Sequence, residues 1–563
     1  MSLANQICGG LYAVVLWSMP LVAQSTPVSA AKSNPTEEKC IVSGMVVSKV
    51  DEAPLKGATV HLQTDEDHAH TIAAKSGADG RFELKNVPAG QYHISVSRNG
   101  YFRVEYGQNK PGQPGAVFSL RPGERKTDLL FRLGRAGVIT GRVFNEDGEP
   151  MPGVMISAMR STYENGRAEL QQIGNADSND LGEYRIFGLV PGRYYISAEN
   201  SAWDHVVGDR EFSGEAKNSG EKGYTKIYFP NAADPGKASL VTVKEGEEIP
   251  AIDFLMKEIT VYRIRGKLVN LVSKQGHRPS YVSGYRRNER NDWMGLRDTP
   301  PGPDGSFEIG EVPPGEYTIV GMVFDDNRGY IAQQDVDVTS ADVDGVILAV
   351  GPGVTIPGTI IWEGKPDAKD DEIRVDLRSE QRERSFGANA HVEENWQFTL
   401  KDTPDGEYKV QVFGLSKNCY IKEVRLGQTL LSDTELRVKG AGGNLEITVS
   451  SRGAEVDGSV VTNENMPATG VWVVAVPEEE KRKYTRLYKA IMTDQYGHYE
   501  LHGLAPGKYK LFSWEGVKAN EWEDPDFRKQ YEDKGESVEV NDGDKKTAQL
   551  NVIQAKDSDA PDE

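Results

Sequence analysis

Three clusters in this 563-residue sequence have residue types that could do chemistry. His391-Val392-Glu393-Glu394 contains His-x-x-Glu, a spacing that can hand two ligands to a zinc ion. A catalytic zinc also needs a third ligand and a general base in the same pocket. The next histidines, His498 and His502, fall in a later repeat, so the pair reads as a coincidence in an exposed strand or loop. His498-Tyr499-Glu500-Leu501-His502 puts three possible ligands on one strand face. The same face carries Arg81, Glu83 and Lys85 in an earlier copy of the pattern, which marks it as the wet side. Asp65-Glu66-Asp67-His68-Ala69-His70 reads as a solvated acidic loop. No Gly-rich phosphate loop opens a helix, and no Ser/His/Asp set stands out by spacing. The expectation is a chain with no catalytic residues, no metal and no cofactor.

Aromatic side chains offer a different chemistry. A pyranose ring stacks its apolar face on an exposed Trp or Tyr, while neighbouring polar groups take the hydroxyls. Three stretches concentrate aromatics: Trp203, Tyr224, Tyr228 and Phe229; then Tyr281, Tyr285 and Trp293 among Arg286, Arg287 and Arg290; then Trp514 and Trp522. Trp203, Tyr228, Tyr285, Trp293 and Trp522 are the candidate ligand-binding residues. The competing expectation is that such aromatics cap their own domain or pack against the next.

The elements that must hold these residues repeat five times. An aromatic is followed eight residues later by glycine and ten later by tyrosine: Phe82/Gly90/Tyr92, Tyr184/Gly192/Tyr194, Phe307/Gly315/Tyr317, Phe398/Gly406/Tyr408 and Tyr499/Gly507/Tyr509. Each phrase is preceded by apolar-x-Gly-x-apolar, as in Val42-Ser43-Gly44-Met45-Val46 and Ile139-Thr140-Gly141-Arg142-Val143. The glycines of this second motif, at 44, 141, 266, 358 and 458, lie 97, 125, 92 and 100 residues apart. The repeat is therefore one small domain long, not a solenoid unit. Alternating apolar and polar residues predict half-buried strands, and the glycine predicts a bulge or a close backbone approach. The phrase tyrosines predict core positions, with the hydroxyl pinning a turn.

The pairing of Ile-x-Gly-x-Val with Asp-x-x-Gly-x-Phe…Pro-Gly-x-Tyr resembles the carboxypeptidase regulatory-like domain, over roughly residues 40–556. The resemblance implies a transthyretin-like β-sandwich, grouped with carbohydrate-binding-like folds. It does not imply peptidase activity, because a fold does not carry chemistry by itself.

These readings predict an all-β protein: five tandem seven-stranded Ig-like or transthyretin-like sandwiches in an elongated array. The expected division is a signal peptide at 1–23 (cleavage as late as 30), a linker at 24–39, sandwiches at 40–134, 135–257, 258–351, 352–451 and 452–556, and an acidic tail at 557–563. Five sandwiches end to end would reach on the order of 150 Å. The net charge of −20 disfavours nucleic acid and anionic lipid as partners. Only Cys40 and Cys419 would remain after cleavage, in different repeats, so no disulfide is expected. The expected role is non-catalytic carbohydrate binding at the cell envelope, exported to the periplasm, cell surface or medium, with no transmembrane segment after cleavage. The expected partner is a polysaccharide or an envelope protein. The alternative is a structural spacer or protein-interaction scaffold.

Overall fold

The computed structural model describes residues 39–64, 71–164, 167–200, 221–272, 280–286, 294–296, 298–325, 328–366, 368–369, 372–379, 387–440 and 442–555. The expected signal peptide, the acidic tail, the 65–70 loop, Trp203 and Trp293 lie outside these residues. Among the described residues the strands form ten sheets, and the apolar side chains gather in five main clusters, one per copy of the phrase. The protein is all-β, built of packed sheets. Cys40 and Cys419 are both buried free thiols.

One sheet of each sandwich follows the same plan. The strand bearing the motif glycine (Cys40–Ser48, Gly137–Phe144, Ile259–Asn270, Val354–Glu363, Ala454–Val461) has a partner on each side. On one side it pairs antiparallel with the phrase strand (Arg81–Val87, Glu183–Leu189, Ser306–Val312, Gln397–Thr403, His498–Leu504). On the other it pairs parallel with the last strand of the same sandwich. Because first and last strands run the same way, the chain enters a sandwich at one end and leaves at the other. The phrase strand Arg81–Val87 shows why alternation works: Phe82 and Leu84 are buried, while Arg81, Glu83 and Lys85 are exposed. Each fully buried apolar side chain of this kind contributes about 1.5–3 kcal/mol.

The fifth sandwich departs from alternation. Strand Trp472–Pro477 has buried residues at every position after Trp472. Val473 and Ala475 face the inner core, whereas Val474 and Val476 face a second cluster with Phe512, Trp514, Trp522, Phe527 and Tyr531. A strand covered on both faces reads as an unbroken apolar run. Its outer cover is the segment around the short helix Pro525–Lys529, which Pro525 opens and Asp524 caps by accepting from the Asp526 N–H.

The sandwiches also touch beyond their neighbours, which corrects the expectation of an elongated array. The Ser119 N–H donates to Gln495 Oε1 at 3.2 Å, and Gln495 Nε2 donates back to the Ser119 carbonyl at 3.1 Å. Asn109 Nδ2 donates to the Thr469 carbonyl at 3.0 Å, and Val117 bridges to Asp494. The first and fifth sandwiches are therefore in contact. The fifth also reaches the second: Lys518 Nζ and Asn520 Nδ2 donate to the carbonyls of Ser161 and Tyr163 at 3.2 and 3.4 Å. The end-to-end reading failed because it left the loops unspent. In the fold their amide and ammonium donors meet backbone carbonyls of distant sandwiches. Neighbouring sandwiches are tied as well. Glu221–Gly223, from the long insertion of the second, adds a strand to a sheet of the third. Asp433 of the fourth, 5% exposed, accepts from Thr485 and Arg486 of the fifth. Among the described residues no helix is long and apolar enough to cross a membrane.

Candidate functional site

The repeated residues have structural work in every copy. Each motif glycine sits directly opposite the phrase aromatic: Gly44 and Phe82, Gly141 and Tyr184, Gly266 and Phe307, Gly358 and Phe398, Gly458 and Tyr499. A Cβ there would overlap a carbonyl of the parallel last strand in four of these sandwiches, and the Phe398 ring in the fourth. The expected close approach is what the glycine provides. Each phrase tyrosine donates its hydroxyl to the carbonyl four residues earlier: Tyr92 to Pro88, Tyr194 to Val190, Tyr317 to Pro313, Tyr408 to Pro404 and Tyr509 to Ala505, at 2.5–3.0 Å. A third station escaped the sequence reading. Ser76, Ser178 and Thr493, each six residues before the phrase aromatic, are buried hydroxyls that bridge two backbone groups. Each accepts from one N–H (Ala58, Val154, Val471) and donates to one carbonyl (Leu55, Met151, Ala468). Their constant offset was the available signal. Pro301 and Val392 occupy the same offset in the third and fourth copies.

The aromatic candidates do not converge on a platform. Tyr228 is 2% exposed and packs with Met159 and Tyr195 on the outer side of its sheet. Trp522 is also 2% exposed; its ring lies 5.0 Å from that of Trp472, and its carbonyl accepts from Arg528 at 2.6 Å. Neither offers a ring face to a sugar, and both are corrected to packing residues. The sequence reveals insertion aromatics but not that the outer sheet faces need covering. Tyr285 is half-buried on strand Ser280–Arg286, opposite Thr318. Trp203 and Trp293 lie outside the described residues.

The histidine clusters are also spread apart. His391 is exposed at the end of strand Asn389–His391, and His498 is exposed on its own strand. His502 lies between Glu455 and Glu500, with ring nitrogens 3.8 and 3.3 Å from their carboxylates. Among the described residues no three His, Cys, Asp or Glu side chains are grouped to hold a metal ion.

A polar groove of about 660 Å³ crosses the second sandwich. Its floor is Thr140, Gly141 and Arg142 on the central strand, with Glu183, Tyr184 and Arg185 on the phrase strand. Ala176, Asp177 and Asn179 form one wall, and Ala251 and Asp253 the other. The second wall exists because the parallel last strand is interrupted. Glu248–Ile249 and Phe254–Leu255 pair with the centre, but residues between them bulge away, with Ala251 at φ +61°. Asp253 accepts from the Arg142 N–H at 2.8 Å, and the Tyr184 hydroxyl donates to the Ile252 carbonyl at 2.6 Å. These two bonds fix the bulge. Burial, then the Asp253 carboxylate, push the Tyr184 phenol well above the ordinary tyrosine range, so it stays neutral and keeps donating. The Arg142 guanidinium pairs with Glu183 at 2.5 Å, while that of Arg185 lies 3.7 Å from Glu248. No motif marks this groove, since its residues come from three separate stretches.

Comparison with known proteins gives little beyond the first sandwich. No curated protein matches the chain. Among solved structures it is similar to a streptococcal ancillary pilin, at 13% identity over 52% of this chain and 98% of that one, TM-score 0.18. It is likewise similar to GBS52, the minor pilin of Streptococcus agalactiae, at 13% identity over 39% and 96%, TM-score 0.21. The TIE protein of Bacillus anthracis matches at 11% identity over 74% of each chain, TM-score 0.14. TM-scores this low carry no inference about this protein. One family model does match, described as the carboxypeptidase regulatory-like domain, over residues 41–121. With its Gly44–Phe82 pair and its Tyr92 pin in place, the first sandwich is similar to a carboxypeptidase regulatory-like domain over that stretch.

Proposed function

We propose that this protein is an exported, non-catalytic scaffold of the cell envelope, made of five carboxypeptidase regulatory-like sandwiches at 40–134, 135–257, 258–351, 352–451 and 452–556. One observation carries the reading. Among the described residues, three segments outside the repeat hold sandwiches together. Residues 109–119 of the first reach the fifth, residues 518–520 of the fifth reach the second, and Glu221–Gly223 joins the third. A chain so tied presents fixed surfaces to protein partners at set spacings. Export rests on the apolar, uncharged start of the sequence. Small-angle scattering of the purified chain tests the scaffold. The expected result is a monomeric particle well short of the ~150 Å of an end-to-end string. A scattering profile of five freely jointed sandwiches would overturn it.

Carbohydrate binding through aromatic platforms is the second reading, favoured by the half-buried Tyr285 among arginines on the third sandwich. A glycan array probed with the whole chain, in which loss of Tyr285, Trp203 or Trp293 abolishes a signal, would support it. An array at background would end it.

A further inference from the structure

The outer face of the glycine-bearing sheet is polar, and the station before the motif glycine is filled differently from copy to copy; in the fourth it is Pro357 opposite Thr399. In the third sandwich Arg265, just before the motif glycine, is clamped by Glu308 at 2.6 Å, Asp342 at 3.1 Å and Asp344 at 3.2 Å. In the fifth, Asp457 at the same station accepts from Thr547, and neighbouring Glu455 pairs with Lys545 at 2.9 Å. In the second sandwich that station is Thr140, and its cross-strand partner is Arg185. The residue opposite Arg185 is therefore neutral, and its guanidinium makes only a loose pair with Glu248 at 3.7 Å where the third sandwich has a tight clamp. Asp177 and Asp253, one on each wall, are exposed, so both walls present solvated carboxylates to the groove.

We propose that this groove is a binding site for an uncharged polyhydroxylated ligand, a neutral saccharide of one or two rings. The volume falls within the roughly 300–1,000 Å³ of small-ligand sites. Two arginines stand against three carboxylates, Asp177, Glu183 and Asp253, a net charge of −1, so a strong anion is disfavoured while a hydroxyl-rich neutral ligand meets both donors and acceptors. A hydroxyl both donates and accepts. It can give its proton to Asp177 or to the outer oxygen of Asp253 and accept from Arg185 or Arg142. The Arg142 N–H holds Asp253 in place before any ligand arrives, which lowers the ordering cost of binding. The site is distinct from the aromatic platforms considered above, and it stands or falls independently of the scaffold reading.

The test uses the whole chain and a panel of neutral disaccharides (maltose, cellobiose, lactose) beside oligogalacturonate, read by saturation-transfer NMR and calorimetry. At least one neutral disaccharide binds, and Asp177→Ala and Arg185→Ala each weaken it at least tenfold. Glu83→Ala, on the same outer face of the first sandwich, leaves the affinity unchanged. If either alanine variant loses its wild-type melting profile, Asp177→Asn or Arg185→Lys takes its place. Binding of none of the neutral sugars, binding of oligogalacturonate alone, or binding that survives both substitutions would overturn the assignment. Scattering would still report on the scaffold separately.

Discussion

Removing the contact between the first and fifth sandwiches should open the particle without unfolding it. Gln495 makes two hydrogen bonds to the Ser119 backbone, and Asn109 donates to the Thr469 carbonyl at 3.0 Å. A neutral hydrogen bond is worth about 0.5–1.5 kcal/mol net, so Asn109→Ala with Gln495→Ala removes about 2–4 kcal/mol. Each 1.4 kcal/mol is tenfold, so the closed-to-open ratio should fall by roughly 30- to 1,000-fold. The contact closes within one chain, where the effective concentration of one face for the other is on the order of millimolar. The Val117–Asp494 bridge and the Lys518 and Asn520 contacts to the second sandwich remain in the variant, so the balance shifts toward the open form without every tie being cut. Both side chains lie in loops, outside the five cores, so circular dichroism and melting should match the parent. Scattering should then show a larger radius of gyration and maximum dimension. A double variant that stays folded with unchanged dimensions would refute the reasoning, because the Val117–Asp494 bridge and the Lys518 and Asn520 contacts would then hold the closure by themselves.

The remaining predictions concern the repeats. Gly458→Ala drives a methyl into the Ala548 carbonyl of the parallel strand, and overpacking of this kind costs about 1–3 kcal/mol. The fifth sandwich should melt earlier in calorimetry while the other transitions stay put. Trp522→Ala should cost about 3–5 kcal/mol through the cavity under the outer sheet of the fifth sandwich, seen as a lower midpoint in urea. A loss below ~1 kcal/mol would mean the ring is not packed as described. Burial pushes the phenols of Tyr317 and Tyr509 up to about 12. Unfolded tyrosines release their protons near pH 10, so above that the folded state holds more protons and stability falls as pH rises from about 10 to 12. Absorbance titration should show these phenols ionising only together with unfolding; early ionisation in a folded chain would contradict their burial.

The repeats were readable because they act over short range. The glycine, the aromatic and the tyrosine sit at fixed offsets, and each meets its partner on an adjacent strand or four residues away. Even the hydroxyls of Ser76, Ser178 and Thr493 carry a constant offset that could have been found. The fate of Trp522 and Tyr228 was not readable by that route, since an aromatic in an insertion is equally suited to solvent or to a second core. The clue lay elsewhere, in the Val471–Val476 run that refuses to alternate and so demands cover on both faces. The groove was hidden because Thr140, Asp177, Arg185 and Asp253 share no local pattern. The closure was hidden because an amide meeting a distant carbonyl leaves no trace in spacing.

The parallel pairing of first and last strands has a mechanical consequence. Tension along the chain pulls those two strands in opposite directions along their length, so their hydrogen bonds resist together in shear rather than parting one by one. In the first sandwich this clamp runs from Ile41 opposite Arg125 to Ser48 opposite Leu133, and in the fifth from Glu455 opposite Lys545 to Val461 opposite Asn551. In the second it is broken between Ile249 and Phe254, where the wall of the groove bulges out. Under load the loop contacts between distant sandwiches part first, and the second sandwich is the next to yield. The interruption that shapes the groove is thus also the shortest stretch of this shear clamp.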